Sequence, residues 1–243
     1  MSYEKGRSNG FIPFCALCEM KGMIIFMEDK KIKTKVLRPK FDSDLDIIEL
    51  SKENIEDESV FSFGTVSDCS LENREADRVT FKQVIFKKVT FDKVTFRRIE
   101  MVDVKFENCD LSNVNFNDAS LHRVEFQNCK IIGINLNEAT LRDVLFENCN
   151  GQFAFFSYSN CKQVAFVQCQ LRSSDFQNSK FLKVEFLESS LLQAQMNFTS
   201  LKGIDFTSSD IEGMAVNIAD VKGAVVTTIQ AISLSAILGL IIK

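Results

Sequence analysis

Cysteine offers the most chemistry in this chain of 243 residues, which has eight of them. Cys69, Cys109, Cys129, Cys149 and Cys169 are separated by multiples of twenty residues, and Cys15 and Cys18 form a Cys-x-x-Cys pair. Regularly spaced thiolates could hold a soft metal or relay electrons, and a Cys-x-x-Cys pair could do either. Both chemistries need company. A tetrahedral site draws four ligands to one point, yet His122 is the sole histidine. A Cys-x-x-Cys pair without a second pair or a nearby histidine is a weak signal for zinc or redox work. No nucleophile–base set, phosphate loop or metal-ligand cluster stands out, so no catalytic residue, metal site or cofactor is assigned.

The cysteines could instead staple a secreted scaffold. The chain is long for that, and Glu19 and Lys21 interrupt the apolar stretches of its first 26 residues, unlike a signal peptide. A reduced, cytoplasmic compartment is expected. Between Lys222 and Lys243 no residue is charged, a length that could span a bilayer. Thr227, Thr228, Gln230, Ser233 and Ser235 make it a poor span, and no membrane partner is expected. The formal charge of −4 gives no whole-chain reason to expect direct nucleic-acid binding. Phenylalanine dominates the aromatics, with 23 against 2 tyrosines and no tryptophan, so the rings serve as apolar bulk without a polar tip.

The element that positions all these residues shows in a period of five. From Phe61 through Phe81, Phe86, Phe91 and Phe96 to Val226, every fifth residue is apolar except Gly151. A helix would advance 500° per repeat and smear that series around its circumference. A strand alternates with period two, and an odd spacing would throw successive members to opposite faces. The chain must therefore turn a corner every five residues. Two residues before each centre sits a second small or apolar residue: Val79, Val84, Val89 and Val94 early, then Ala119, Ala139, Ala154, Ser174 and Ser179. The other three positions are mostly polar, as an outer surface requires.

Segments such as Cys109-Asp110-Leu111-Ser112-Asn113 and Ala119-Ser120-Leu121-His122-Arg123 resemble the repeat of the pentapeptide-repeat proteins. The resemblance implies an all-β fold, a right-handed quadrilateral parallel β-helix in which four repeats close one square coil. Residues 61–226 would form roughly eight coils, about 40 Å at ~4.8 Å per layer. Residues twenty apart then stack in columns. The cysteines fall on one inward column with Val89 in the gap, and they read as small buried hydrophobes. Asn108, Asn128 and Asn148 form an outer amide column at the corners. Asp103, Arg123 and Asp143 alternate in sign, Lys105 lies over Glu125 and Asp110 over Lys130, a set expected to be compensated ladders on a solvated face.

Two columns look uncompensated, Asp118 beside Glu138 and Glu185 beside Asp205, and these four are candidate partner contacts. Residues 78–98 are basic, while residues 100–226 hold 16 acidic against 10 basic side chains. Leu145, Ala165, Val167 and Leu187 gather on one outer face as a possible apolar contact. At the blank centre, Gly151, either Phe153 and Phe155 are exposed or the chain bulges and one ring refills the hole. The bulge is preferred.

Both ends must close an open solenoid. Ile32–Phe41 and Leu45–Leu50 are extended candidates leading into the first coil. Thr227-Thr228-Ile229-Gln230 is a capping box, opening a helix over 228–238 with Gly239 after it and a closing strand at Leu240-Ile241-Ile242. The helix is apolar on nearly every side, and Ile229, Ile232, Leu234, Ile237 and Leu238 are expected to form a symmetric dimer interface. The expected divisions are an N-terminal extension over 1–26, where Met27 could be an alternative start, a lead-in over 27–60, the β-helix over 61–226 and a cap over 227–243. The tail from Gln230-Ala231-Ile232 to Leu238-Gly239-Leu240-Ile241-Ile242 resembles that of Qnr-type quinolone-resistance proteins. That resemblance implies a dimeric, DNA-mimicking protein that engages DNA gyrase or topoisomerase IV. The alternative is a scaffold for another cytoplasmic protein, and a third reading, an enzyme or anchored protein, would rest on the N-terminal segment or the tail.

Overall fold

The structure is a computed structural model that describes residues 33–42 and 45–239. The chain divides into two units, Met1–Lys31 and Ile32–Lys243, and the second holds all described residues. Cys15, Cys18, Met27 and the expected closing strand over Leu240–Ile242 lie outside them.

Each repeat bends for a local reason. The centre and the residue two before it point inward, and the residue two after the centre holds a left-handed backbone. Every fifth residue from Glu58 to Gly203 has a positive φ, as in Asp68 (50°), Asn108 (55°) and Gly133 (63°). That conformation turns an extended chain through a corner, and the corner N–H then bonds the next coil, as Asn113 does to the Ile132 carbonyl at 2.8 Å. Val, Ile, Thr and Pro are absent from this register throughout the stretch, which suits a conformation that β-branched residues resist.

The short strand β1 (Asp46–Ile47) precedes the coils, and β2 (Val60–Ser67), β3 (Ser70–Glu72) and β4 (Glu75–Asp77) lie in the first of them. Then follow β5 (Thr80–Lys87), β6 (Thr90–Asp92), β7 (Thr95–Arg97) and β8 (Glu100–Glu107). Later coils contribute β9 (Ser120–Gln127), β10 (Thr140–Glu147), β11 (Asn160–Val167) and β12 (Lys180–Leu187). One sheet runs β1-β2-β5-β8-β9-β10-β11-β12, entirely parallel, with each residue from β2 onward opposite the residue twenty further on. The remaining faces continue as bridges, such as Asp110↔Lys130 and Asn115↔Asn135. Seven turns thus carry the long strand. The eighth expected coil keeps register through bridges such as Asp205↔Val225 alone.

The core is a set of columns. Phe86, Phe106, Phe126, Phe146 and Phe166 stack with centroids 4.8 Å apart and rings within 6° of parallel. Phe156 meets Phe146 and Phe166 edge-on at 85°. The stack repeats at the spacing of the sheet layers, so ring and backbone ladders reinforce each other.

Gly151 departs from expectation. No bulge forms: its N–H bonds the Gln170 carbonyl at 2.7 Å and the corner at Phe153 keeps its positive φ. A Cβ at Gly151 would stand 3.0 Å from Leu171 and 3.2 Å from Ile131. The larger centres one coil above and below already fill the space.

The N-terminal lead-in also differs. Of the two extended candidates, only the second meets the sheet end-on: β1 pairs with β2, Asp46 opposite Gly64. The first, expected over Ile32–Phe41 and described as residues 33–42, is not part of the coil. It crosses the strands lengthwise as a strap.

Candidate functional site

The strap is held one coil at a time. The Lys33 N–H and the Thr34 hydroxyl donate to Glu185 at 3.0 and 2.8 Å, and Lys33 Nζ pairs with Asp205 at 3.1 Å. Gln163 Nε2 donates to the Lys35 carbonyl at 2.8 Å. The Leu37 N–H donates to Asp143 at 3.1 Å, Arg38 pairs with Glu125 at 3.1 Å, and the Lys40 N–H donates to Asp103 at 2.9 Å. Asp42 ends the series on Gln83 at 2.9 Å. From Lys33 to Asp42 the main chain takes nine residue steps from the coil of Glu185 to that of Gln83, five layer spacings or about 24 Å, within the ~30 Å reach of extended chain, and the Lys33 side chain bridges one coil more to Asp205.

This strap changes the reading of several predicted site residues. Glu185 and Asp205, read as uncompensated, are both engaged by it. Thr207, through its hydroxyl and N–H, and then Lys33 against the effect of burial, hold the Asp205 carboxyl down to about 2. Of the positions read as an exposed apolar spot, Leu145 is 1% exposed and Ala165 is buried, while Val167 and Leu187, two residues further along their strands, are half-buried. Half-buried Val36 lies between the bonds to Gln163 and Asp143, at the level of Ala165 and Leu145.

The charge ladder is likewise not on a solvated face. Arg123 grips Asp103 with two bonds of 2.6 Å, as the column pattern predicts, but Asp103, Glu125 and Asp143 are buried. Burial would raise the Asp103 carboxyl, and Arg123 with the Lys40 N–H outweighs it, leaving the group below its usual range. Asp143 takes its bonds from Leu37 and Gln163. Away from the strap the ladders form as expected, with Lys130 on Asp110 at 3.4 Å and Asn148 on Asn128 at 2.7 Å.

The opposite side of the coil stays open. Phe153 (53% exposed), Phe155 (43%) and Tyr158 (64%) cross the face centred on Phe156 in a single coil. Along the corner column of Tyr158, Glu138 and Asp118 lie one and two coils earlier, and Phe198 (66%) lies two coils later. Asp118 and Glu138 are exposed and join no ion pair among the described residues. Of the four predicted acidic contacts, these two remain available, and they adjoin an aromatic band. Sequence reasoning weighed Phe153 and Phe155 but missed Tyr158 and Phe198. Their place at corner positions, which always point out, was the signal available.

The cysteine column is structural. Cys129 and Cys149 direct Sγ at the carbonyls of Phe106 and Phe126, at 3.5 and 3.4 Å. In the same column Ser189 and Ser209 make the same bond to Phe166 and Phe186. The neighbouring Cys129 thiol and burial push Cys109 far above the usual thiol range, and burial pushes Cys161 up to about 12.

At the C-terminal end, α1 (Thr228–Leu234) opens with the capping box, in which the Gln230 N–H donates to the Thr227 hydroxyl. Gln230 Nε2 also donates to the carbonyls of Phe206 and Ser209 at 2.9 and 2.7 Å, fastening the helix to the last coils. The helix is shorter than expected. A 3-10 turn, Ser235–Leu238, continues it to Gly239 at φ 70°. Leu234 and Ile237 pack on the core, so the outward side of the predicted interface reduces to Ile229, Ile232 and Leu238. No helix among the described residues is long and apolar enough to cross a membrane.

Comparison with known proteins bears on this architecture. Residues 119–196 match the family description "Pentapeptide repeat region", and residues 99–137 match "Pentapeptide repeats (8 copies)". Among solved structures, the chain is similar to a trypsin-treated form of QnrB1, a plasmid-mediated fluoroquinolone resistance protein. Identity is 16% over 74% of this chain and 100% of that one, with a TM-score of 0.42. It is also similar to HetL, involved in heterocyst differentiation regulation in the cyanobacterium Nostoc sp. strain PCC 7120, at 12% identity over 70% and 85% of the two chains, TM-score 0.34. No curated protein matches. With a corner every fifth residue and stacked coils of twenty, the chain has the fold of a pentapeptide-repeat protein, and residues 99–196 are a pentapeptide-repeat region.

Proposed function

We propose that this protein is a non-catalytic interaction module that binds another protein through the open face carrying Phe153, Phe155 and Tyr158. The exposure of those rings carries the reading. Aromatic side chains on a rigid support are the usual anchors of a protein interface, and a neighbouring charged rim orients the partner. Asp118 and Glu138 supply that rim. The partner to test first is a type II topoisomerase, DNA gyrase or topoisomerase IV, because of the Qnr-like tail, and the consequence would be altered quinolone susceptibility in the cytoplasm. A pure imitation of DNA phosphates finds less support, since Glu185 and Asp205 are engaged by Lys33 and Thr34.

The test is direct binding to both enzymes at low and physiological salt, alongside gyrase supercoiling with and without ciprofloxacin. Phe155→Ser with Tyr158→Ser should weaken binding at least about ten-fold, the effect of losing anchor residues. Asp118→Lys with Glu138→Lys should act chiefly at low salt. No binding to either enzyme at low salt removes the topoisomerase and leaves a scaffold for another protein. Binding indifferent to the aromatic pair refutes the face itself.

A further inference from the structure

The groove under the strap has the chemistry of a peptide-binding site. Asp103, Glu125, Asp143, Gln163, Glu185 and Asp205 come from six coils, and they meet main chain as much as side chain. Lys33, Leu37 and Lys40 each donate a backbone N–H to a carboxylate, and Gln163 donates to the Lys35 carbonyl. Two ion pairs, Lys33–Asp205 and Arg38–Glu125, add charge recognition. A row of carboxylates spaced by the layers of a sheet reads an extended backbone of positive charge. The occupant's sequence, Lys33-Thr34-Lys35-Val36-Leu37-Arg38-Pro39-Lys40, has that character. The hold is also reversible in kind. It consists of separate hydrogen bonds and part-exposed ion pairs, each modest in water and weakened by salt.

We infer that this acidic groove is a binding site for extended, lysine- and arginine-rich polypeptide, that residues 33–42 are its resident intramolecular ligand, and that a basic extended segment of a partner protein displaces them. The groove lies away from the aromatic face and does not depend on the topoisomerase reading. A tethered ligand competes at high effective concentration, so the site is masked until a partner segment outcompetes the strap.

The experiment uses the full chain and a fluorescent synthetic peptide with the sequence of residues 33–42. In the wild type the strap should suppress peptide binding. In the double variant Lys33→Glu with Arg38→Glu, which loses both ion pairs, binding should be at least about ten-fold tighter, because the tethered competitor is weakened. Physiological salt should loosen it several-fold, and a peptide with glutamine for every lysine and arginine should not bind. Glu185→Lys with Asp205→Lys, combined with the strap variant, should abolish binding. Equal affinity for wild type and strap variant, no binding to the variant at low salt, or indifference to groove reversal each overturns the proposal. Hydrogen exchange in the wild-type chain decides independently of how the variants fold. Excess peptide should speed exchange across residues 33–42 about ten-fold, and unchanged protection there overturns displacement.

Discussion

A corner residue with a side chain sits in a conformation that costs about 1–2 kcal/mol relative to a right-handed one, and this chain accepts that at nearly every corner from Glu58 to Gly203. What the corner returns is a hydrogen bond from its own N–H to the next coil, as in Asn73 to the Asp92 carbonyl at 2.9 Å. Asn73 is exposed, with φ at 51°. Asn73→Val should therefore lower stability by about 1–2 kcal/mol in urea melts, while Asn73→Gly should change it far less. Equal effects would mean that the backbone is not what selects residues here. The thiols give a second residue-scale expectation. A thiol whose pKa is raised stays protonated, and so unreactive, until pH approaches the raised value. Cys161, at about 12, and Cys109, also pushed up by its neighbouring thiol and by burial, should resist iodoacetamide at pH 9 in the folded protein and react once it is unfolded. Among the described cysteines, half-exposed Cys69 should label first. Site-resolved mass spectrometry checks this, and labelling of Cys161 in the folded chain would contradict its burial.

At the scale of elements, stability resides in columns that pass through many strands. Phe126 lies between Phe106 and Phe146 at 4.8 Å on either side, so removing it opens two stacking contacts and a cavity that β8 and β10 cannot close without losing register. Phe126→Ala should cost about 3–5 kcal/mol. Phe126→Asp should abolish folding, because it buries an unpaired charge between two rings. A cooperatively folding Phe126→Asp protein would overturn the continuous core. The strap is a different kind of element. It adds no layer to the core, but shields apolar outer positions such as Leu145 and satisfies buried carboxylates such as Asp143.

At the scale of the molecule, the described C-terminal end leaves apolar surface uncovered. Ile229 is 78% exposed, with Ile232 and Leu238 beside it, while Leu234 and Ile237 close the last coil. We expect this side to be covered by a second copy through a two-fold axis, since the same surface on both partners is self-complementary. Size-exclusion chromatography with light scattering should find a dimer at micromolar concentration. Ile229→Asp with Ile232→Asp should give a folded monomer, whereas ending the chain at Val226 should also expose the coil and cause aggregation. A monomeric intact protein under those conditions would remove the interface.

The sequence by itself determined the coil. A five-residue period, a small residue two before each centre and the absence of β-branched residues from the corners follow from geometry that repeats locally, so each repeat states its own fold. Columns follow too, since the contact between residue i and residue i+20 recurs along the chain, which is why the cysteine column and the pairing of Arg123 with Asp103 were legible. Only the tertiary structure decided which outward residues are free. Leu145 and Phe155 both occupy outward positions, yet Leu145 is buried and Phe155 is exposed. The difference is a strap that joins Lys33 to Glu185 and Leu37 to Asp143 across more than a hundred residues of chain. Such contacts are made once and have no period to betray them. Gly151 teaches the same lesson in the core: its vacancy is filled by Ile131 and Leu171, because side chains in neighbouring coils share one continuous volume.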